Sequence, residues 1–132
     1  MKLFKVYTKE KGLIETGSHI NPNMHNLTWH REDGPAYIMY YDNGNIKYKE
    51  YWFNNILHRL DGPAIIAYDS IINGDILEET YYNKGILHRL DGPAFIMYDN
   101  GNIIREEYWL NGNEYTKENY HKALLTLKVQ LL

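Results

Sequence analysis

The sequence predicts a mainly β protein: stacked β-hairpin repeats forming a twisted antiparallel sheet, with a C-terminal capping α-helix. Three observations carry that expectation. The heptapeptide His-Arg-x-Asp-Gly-Pro-Ala begins at His30, His58 and His88, and its last two copies sit within a longer identity, Ile56–Ala64 and Ile86–Ala94. Between the copies lie short Tyr-, Ile- and Met-rich runs punctuated by Asn-Gly, the pattern of strands joined by tight turns. Beyond Thr116 the apolar spacing lengthens to that of a helix.

The elements follow in order along one domain, residues 1–132. Residues 1–29 offer a strand at Leu3–Thr8, a turn at Gly12, a second run near Leu13–Thr16 and a Pro- and Asn-containing link. They read as an N-terminal cap or a degenerate repeat. The repeats span 30–57, 58–87 and 88–115. In the first, Ala36–Tyr41 is β-prone, Asp42-Asn43-Gly44-Asn45 makes the turn, and Ile46–Phe53 returns. Asn-Gly suits that turn because its centre requires positive φ. The letters of Tyr41–Ile46 recur at Tyr98–Ile103, and the second unit carries Asn73-Gly74-Asp75-Ile76 instead. Each unit then reaches an aromatic pair, Tyr51-Trp52, Tyr81-Tyr82 or Tyr108-Trp109, and a further turn at Asn54-Asn55, Lys84-Gly85 or Asn111-Gly112. Proline has no N–H to donate and glycine permits a bend, so Asp-Gly-Pro is the corner between hairpins.

In residues 116–132, Tyr120, Ala123, Leu124, Leu127 and Leu131 fall on one helical stripe, with Thr116 as N-cap. Such a helix would cover a sheet edge or face, as the end of an open array requires. Leu125, Val129 and Leu132 widen its apolar surface, which leaves open a helix offered to a partner.

Composition narrows the function. The chain has 132 residues and no cysteine, so neither disulfides nor thiolate metal sites stabilise it, and a reducing, cytoplasmic setting is expected. A net charge of −3 argues against binding nucleic acid or an anionic membrane. No apolar run reaches membrane-spanning length, and the lysine-broken N-terminus is not a secretory signal. Thirteen tyrosines against three phenylalanines suit a half-wet sheet surface, where the ring packs and the hydroxyl stays hydrated. The Asn, Ile, Lys and Tyr bias fits an AT-rich genome, as in many phages and large viruses.

Tyr-x-x-Asn-Gly followed by His-Arg-x-Asp-Gly-Pro-Ala resembles the MORN-type repeat proteins, in particular the HRxDGPA variety of viral and bacterial proteins. The resemblance covers residues 30–115. It implies stacked β-hairpins. The closely spaced Gly-x-Gly of the familiar MORN pattern is absent, so the resemblance speaks to fold rather than to activity.

The trio His30, Arg31 and Asp33, repeated as His58, Arg59 and Asp61 and as His88, Arg89 and Asp91, places an imidazole beside a carboxylate, as acid–base chemistry would. An active site is normally assembled once, however, and no Ser or Cys nucleophile lies in the frame. Equivalent residues in successive hairpins stand two strand spacings apart, about 9–10 Å. The three histidines therefore cannot share one metal ion, whose ligands bond at about 2 Å. His19, His25 and His121 have no ligand spacing. No catalytic residue, metal or cofactor is expected. The trio reads as scaffolding: Asp accepting from backbone N–H groups, Arg pairing with Asp in its own or the adjacent unit, and His bridging a backbone carbonyl and a tyrosine.

Partner-specific residues are then expected where the copies differ. Aligning the return strands puts Tyr48, Glu78 and Arg105 at one position and Lys49, Glu79 and Glu106 at the next. Trp52, Tyr82 and Trp109 are expected on the side of the first set, giving a strip of aromatics and charges typical of a binding hot spot. The function expected is a non-enzymatic protein-interaction module, with a phage or viral inhibitor of a host protein or defence system as its most specific form. The alternative is a repeat protein binding a small ligand (nucleotide, lipid headgroup or glycan). A protein partner is expected, and open sheet edges also allow a homodimer.

Overall fold

The computed structural model describes residues 3–16, 26–70 and 74–130. His19 and His25, much of the N-terminal link, Asn73 of the second turn, Leu131 and Leu132 lie outside the described residues.

The N-terminal region forms β1 (Phe4–Thr8) and β2 (Gly12–Thr16). The first repeat supplies β3 (Tyr37–Tyr40) and β4 (Ile46–Glu50), then a two-residue pair, β5 (Trp52–Phe53) and β6 (Ile56–Leu57). The second supplies β7 (Ile65–Tyr68), β8 (Ile76–Thr80), β9 (Tyr82–Asn83) and β10 (Ile86–Leu87). The third supplies β11 (Phe95–Asp99), β12 (Asn102–Leu110) and β13 (Asn113–Tyr115), followed by helix α1 (Lys117–Gln130).

A nine-stranded sheet runs in the order β13-β12-β11-β8-β7-β4-β3-β1-β2, with every neighbouring pair antiparallel. The long hairpins lie side by side, and the small hairpins β5–β6 and β9–β10 form separate two-stranded sheets. The expected return strand Ile46–Phe53 is therefore divided. It leaves the main sheet at Tyr51, whose N–H donates to Ala64 O and whose carbonyl accepts from His58 N–H, and so ties two layers of structure together. In the third unit the same stretch stays continuous as β12.

Turn chemistry accounts for the small hairpins. Asn54 and Asn55 have φ of 50° and 62°, Lys84 and Gly85 have 51° and 79°, and Asn111 and Gly112 have 50° and 80°. Two successive left-handed residues match the twist of a two-residue hairpin, and Asn and Gly tolerate them best. The long-hairpin turns hold a surprise. Tyr40 pairs with Ile46 and Tyr98 pairs with Ile103, so Tyr40, not Tyr41, is the counterpart of Tyr98. The first loop is one residue longer: Tyr41 N–H donates to Asn45 O, whereas the third turn closes over Asn100-Gly101. Identical letters thus fold in two registers. Each long hairpin also slips register next to its turn, between Met39 and Tyr40, Ala67 and Tyr68, and Met97 and Tyr98. Such bulges increase local twist.

Most side chains of β3 and β4 are only half buried, as expected of a sheet without a thick core on either face. The deepest packing lies at the two ends. Phe4 and Val6 pack with Leu27, Trp29 and Tyr37, where the Trp29 and Tyr37 rings stack at 5.2 Å. At the other end α1 lays Tyr120 and Leu124 on Tyr108 and Leu110, with Ala123 and Leu127 alongside. Burying a side chain such as Leu124 contributes about 2 kcal/mol. Thr116 caps the helix, its Oγ1 accepting from Asn119 N–H at 3.2 Å. Leu125 and Val129 face solvent.

Candidate functional site

The repeated corners line one side of the sheet, and the same contacts recur at each. Arg31 donates from Nε to Asp33 Oδ1 at 3.0 Å and from Nη1 to Pro35 O at 3.1 Å. Arg59 makes the same bonds to Asp61 and Pro63, and Arg89 to Asp91 and Pro93. Each guanidinium also lies over a tyrosine from the preceding unit: Arg31 over Tyr7 at 3.9 Å, Arg59 over Tyr51 at 4.0 Å, Arg89 over Tyr81 at 3.9 Å. The cation is attracted to the ring's negative face while its donors remain free for oxygen.

The glycine of the corner makes room for this. A Cβ on Gly62 would stand 2.7 Å from Arg59 Cζ, and one on Gly34 2.9 Å from Arg31 Cζ. The guanidinium is sandwiched between a glycine of its own unit and a tyrosine of the one before. Ala36, Ala64 and Ala94, which end the corners, are fully buried. Their carbonyls accept from Tyr7, Tyr51 and Tyr81 N–H, each at 2.7 Å. The tyrosine that carries the cation is thus bonded through its backbone to the unit supplying it.

The histidines hold the second column of hairpins. His30 Nδ1 accepts from Asn54 N–H at 3.1 Å, His58 Nδ1 from Lys84 N–H at 2.9 Å and His88 Nδ1 from Asn111 N–H at 2.9 Å. Nδ1 as acceptor leaves Nε2 to carry the proton. Burial lowers the His88 pKa. These roles differ in detail from the expected ones. Asp takes its bond from its own arginine, and histidine accepts from a turn amide rather than bridging a carbonyl and a tyrosine hydroxyl. Tyr7 stands to Arg31 as Tyr51 stands to Arg59, so β1 occupies the place of a return strand of an earlier unit. After the third corner α1 takes over: Tyr120 OH donates to Arg89 O and accepts from Gly92 N–H.

The expected strip of variable residues is split. Register places Tyr48, Glu78 and Arg105 in one row with Met39, Ala67 and Met97. Lys49, Glu79 and Glu106 align in the adjacent row with Ile38, Ile66 and Ile96. Adjacent residues of a strand point to opposite faces, so the two sets lie on opposite sides of the sheet. Trp52 and Tyr82 belong to the small hairpins, beyond the break at Tyr51 and Tyr81. Trp52 is held by Glu50, whose Oε2 accepts from its Nε1 at 2.8 Å, and by Trp29 edge-on at 5.3 Å. Burial raises the Glu50 pKa, and the Trp52 bond opposes that rise. In the third unit Glu107, the counterpart of Glu50, pairs with Arg105 at 3.0 Å, and Trp109 Nε1 is buried without an acceptor.

The corners bring together a different surface. A groove of 720 Å³ opens between the first and second, with Tyr51, Phe53, Ile56, Leu60, Arg59 and Lys84 in its wall. A second of 370 Å³ follows between the second and third, with Leu60, Tyr81, Tyr82 and Leu90. Apolar side chains stand out along this side: Leu60 is 82% exposed, Leu90 51%, and Phe53, Ile56 and Ile86 41–48%. Between them Asp33, Asp61 and Asp91 project their carboxylates, each 86–87% exposed, above arginines that are mostly covered. Ile56, Leu60, Ile86 and Leu90 belong to the duplicated letters that read as scaffold, which hides them among the residues of the corner. The available signal was a leucine at the variable position of two His-Arg-x-Asp turns, where the first turn has Glu32. Among the described residues no three His, Asp or Glu side chains cluster as metal ligands, and no helix is long and apolar enough to cross a membrane.

Fold and corner geometry together define a β-hairpin repeat protein with one extended antiparallel sheet and a helix at its C-terminal end. No protein-family model, curated protein or solved structure matches the chain.

Proposed function

We propose that this chain is a non-enzymatic protein-interaction module that engages its partner along the corner side. The observation that carries the reading is the row of exposed Phe53, Ile56, Leu60 and Leu90 bordering two consecutive grooves. Large apolar side chains gathered around concavities and interspersed with charges favour a protein partner, since their burial drives association and the polar surroundings provide orientation. The imidazole Nδ1 atoms at the corners are engaged by backbone amides, a scaffold role rather than a reactive one. Kinship with MORN-type repeats belongs to the same proposal, as does inhibition of a host protein by occlusion.

The larger groove supports a second reading, a small ligand stacked on Phe53 and held by Lys84. Photo-crosslinking separates the two. A crosslinker at position 60 or 90 is expected to capture one discrete protein, and Leu60→Asp with Leu90→Asp is expected to abolish capture at unchanged melting temperature. Thermal stabilisation by a nucleotide, headgroup or glycan, with no protein captured, would favour the ligand reading instead.

A further inference from the structure

A second surface, independent of the corner grooves, follows from how the units join. Three seams in the sheet share one geometry. At the first, β3 docks on β1 with Phe4 opposite Met39, Lys5 opposite Ile38 and Val6 opposite Tyr37, and Tyr7 N–H reaches Ala36 O. At the second, β7 docks on β4 with Tyr48 opposite Ala67, Lys49 opposite Ile66 and Glu50 opposite Ile65, and Tyr51 N–H reaches Ala64 O. At the third, β11 docks on β8 with Glu78 opposite Met97, Glu79 opposite Ile96 and Thr80 opposite Phe95, and Tyr81 N–H reaches Ala94 O. The incoming strands read Ala-Tyr-Ile-Met-Tyr, Ala-Ile-Ile-Ala-Tyr and Ala-Phe-Ile-Met-Tyr. A small buried residue leads, and an apolar run follows.

Strand β12 is next in this series. Its inner side is bonded to β11, and on its outer side β13 pairs only with Tyr108–Leu110. Among the described residues no strand pairs with the outer side of residues 102–107. Side chains there are open: Ile103 is 52% exposed and Ile104 59%. Helix α1 covers Tyr108 and Leu110 and bonds to the third corner through Tyr120, so it occupies the place of a further corner and leaves the strand position free. Glu107 O accepts from Ala94 N–H and therefore points inward. Since antiparallel strands alternate the direction of their backbone groups, Glu106 turns its N–H and C=O outward.

We propose that the outer side of β12 is a docking edge for an extended segment of another polypeptide, added as a strand in the register of the three seams. The segment has a small residue first, then an aromatic or β-branched residue, an isoleucine-like residue and a further apolar one, without proline in the run. Continuity with the three existing seams specifies this occupant. Antiparallel self-pairing of β12 centred on Arg105 or on Glu107 sets like charges directly opposite, which destabilises a ladder. Backbone bonds supply affinity in such strand addition, and alternating side chains supply selectivity.

The test uses the full chain and a synthetic peptide with the sequence of Gly92–Asn100, the chain's own third docking strand. Saturable binding that slows hydrogen exchange at the Glu106 amide is expected. Glu106→Pro removes the outward N–H along with the carboxylate that accepts from Tyr108 OH, whereas Glu106→Ala removes that carboxylate and keeps the N–H. The proline variant should bind about tenfold more weakly than the alanine variant, the effect of one lost backbone bond. If that variant does not fold, the exchange measurement on the unaltered chain decides alone. Absence of saturable binding, or binding without protection at Glu106, overturns the proposal. So does a dimer of the unaltered chain that protects the Glu106 amide, because it assigns the edge to a second copy.

Discussion

The guanidinium of Arg59 lies 4.0 Å from the centre of the Tyr51 ring, so the second unit is clamped to the first by a cation set on an aromatic face. The same guanidinium bonds Asp61 and Pro63 O, and its side chain is only 22% exposed. Lysine cannot reproduce a planar fork that stacks and donates at once. Arg59→Lys is expected to lower stability by about 1–2 kcal/mol, from the stacked cation and two altered hydrogen bonds. Thermal unfolding should show a drop of a few degrees. An unchanged melting temperature would refute the clamp.

Gly62 serves the clamp by lacking a Cβ, which would meet Arg59 Cζ at 2.7 Å. Gly62→Ala should therefore destabilise the chain by displacing Arg59. A double-mutant cycle checks the cause: with Arg59→Ala already present, adding Gly62→Ala should cost far less than it does alone. Additive losses would mean that the glycine acts through its own backbone.

His88 makes stability depend on pH. Its Nδ1 accepts from Asn111 N–H, and burial holds its pKa below the ordinary 6.5. The folded chain thus binds a proton at His88 less readily than the unfolded chain. The contribution is fully present above pH 6.5 and is lost as pH falls from there through the lower folded value. Melting temperature measured from pH 7.5 down to 5 should fall more steeply for the unaltered chain than for His88→Gln. Parallel curves would remove His88 from the account.

Arg105 holds the carboxylate whose counterpart in the first unit serves a tryptophan. Glu50 accepts from Trp52 Nε1, but the equivalent Glu107 is paired with Arg105, leaving Trp109 Nε1 without an acceptor. Arg105→Ala should release Glu107 to take the indole N–H. Because the Arg105 side chain is 61% exposed, its loss costs little, while a buried unsatisfied donor costs about 1–3 kcal/mol, so stability should hold or rise. The Trp109 indole proton should shift downfield and exchange more slowly; an unmoved resonance with lower stability would count against the exchange of partners.

Much of this fold was legible because its determinants are local. Asn54-Asn55 and Lys84-Gly85 specify two-residue turns, since few residues accept left-handed φ. Thr116 marks a helix start that Asn119 N–H confirms by bonding to its hydroxyl. The candidate site was less legible. Tyr48 and Lys49 are neighbours in sequence but lie on opposite faces, and the identical letters of Tyr41–Ile46 and Tyr98–Ile103 adopt different registers because one loop holds an extra residue. Leu60 looks like any leucine until the corner is seen to turn it outward.

By itself the sequence determined that three units exist, where each turns, and that a helix follows them, because repetition, positive φ and helical spacing act over a few residues. Only the tertiary structure decided which tyrosine receives each arginine, that the first two return strands break into a second column of hairpins, and that the apolar side chains left uncovered gather along the corners. Those outcomes depend on how one unit lies against the next, where backbone pairing and twist set which side chains meet and which remain in water.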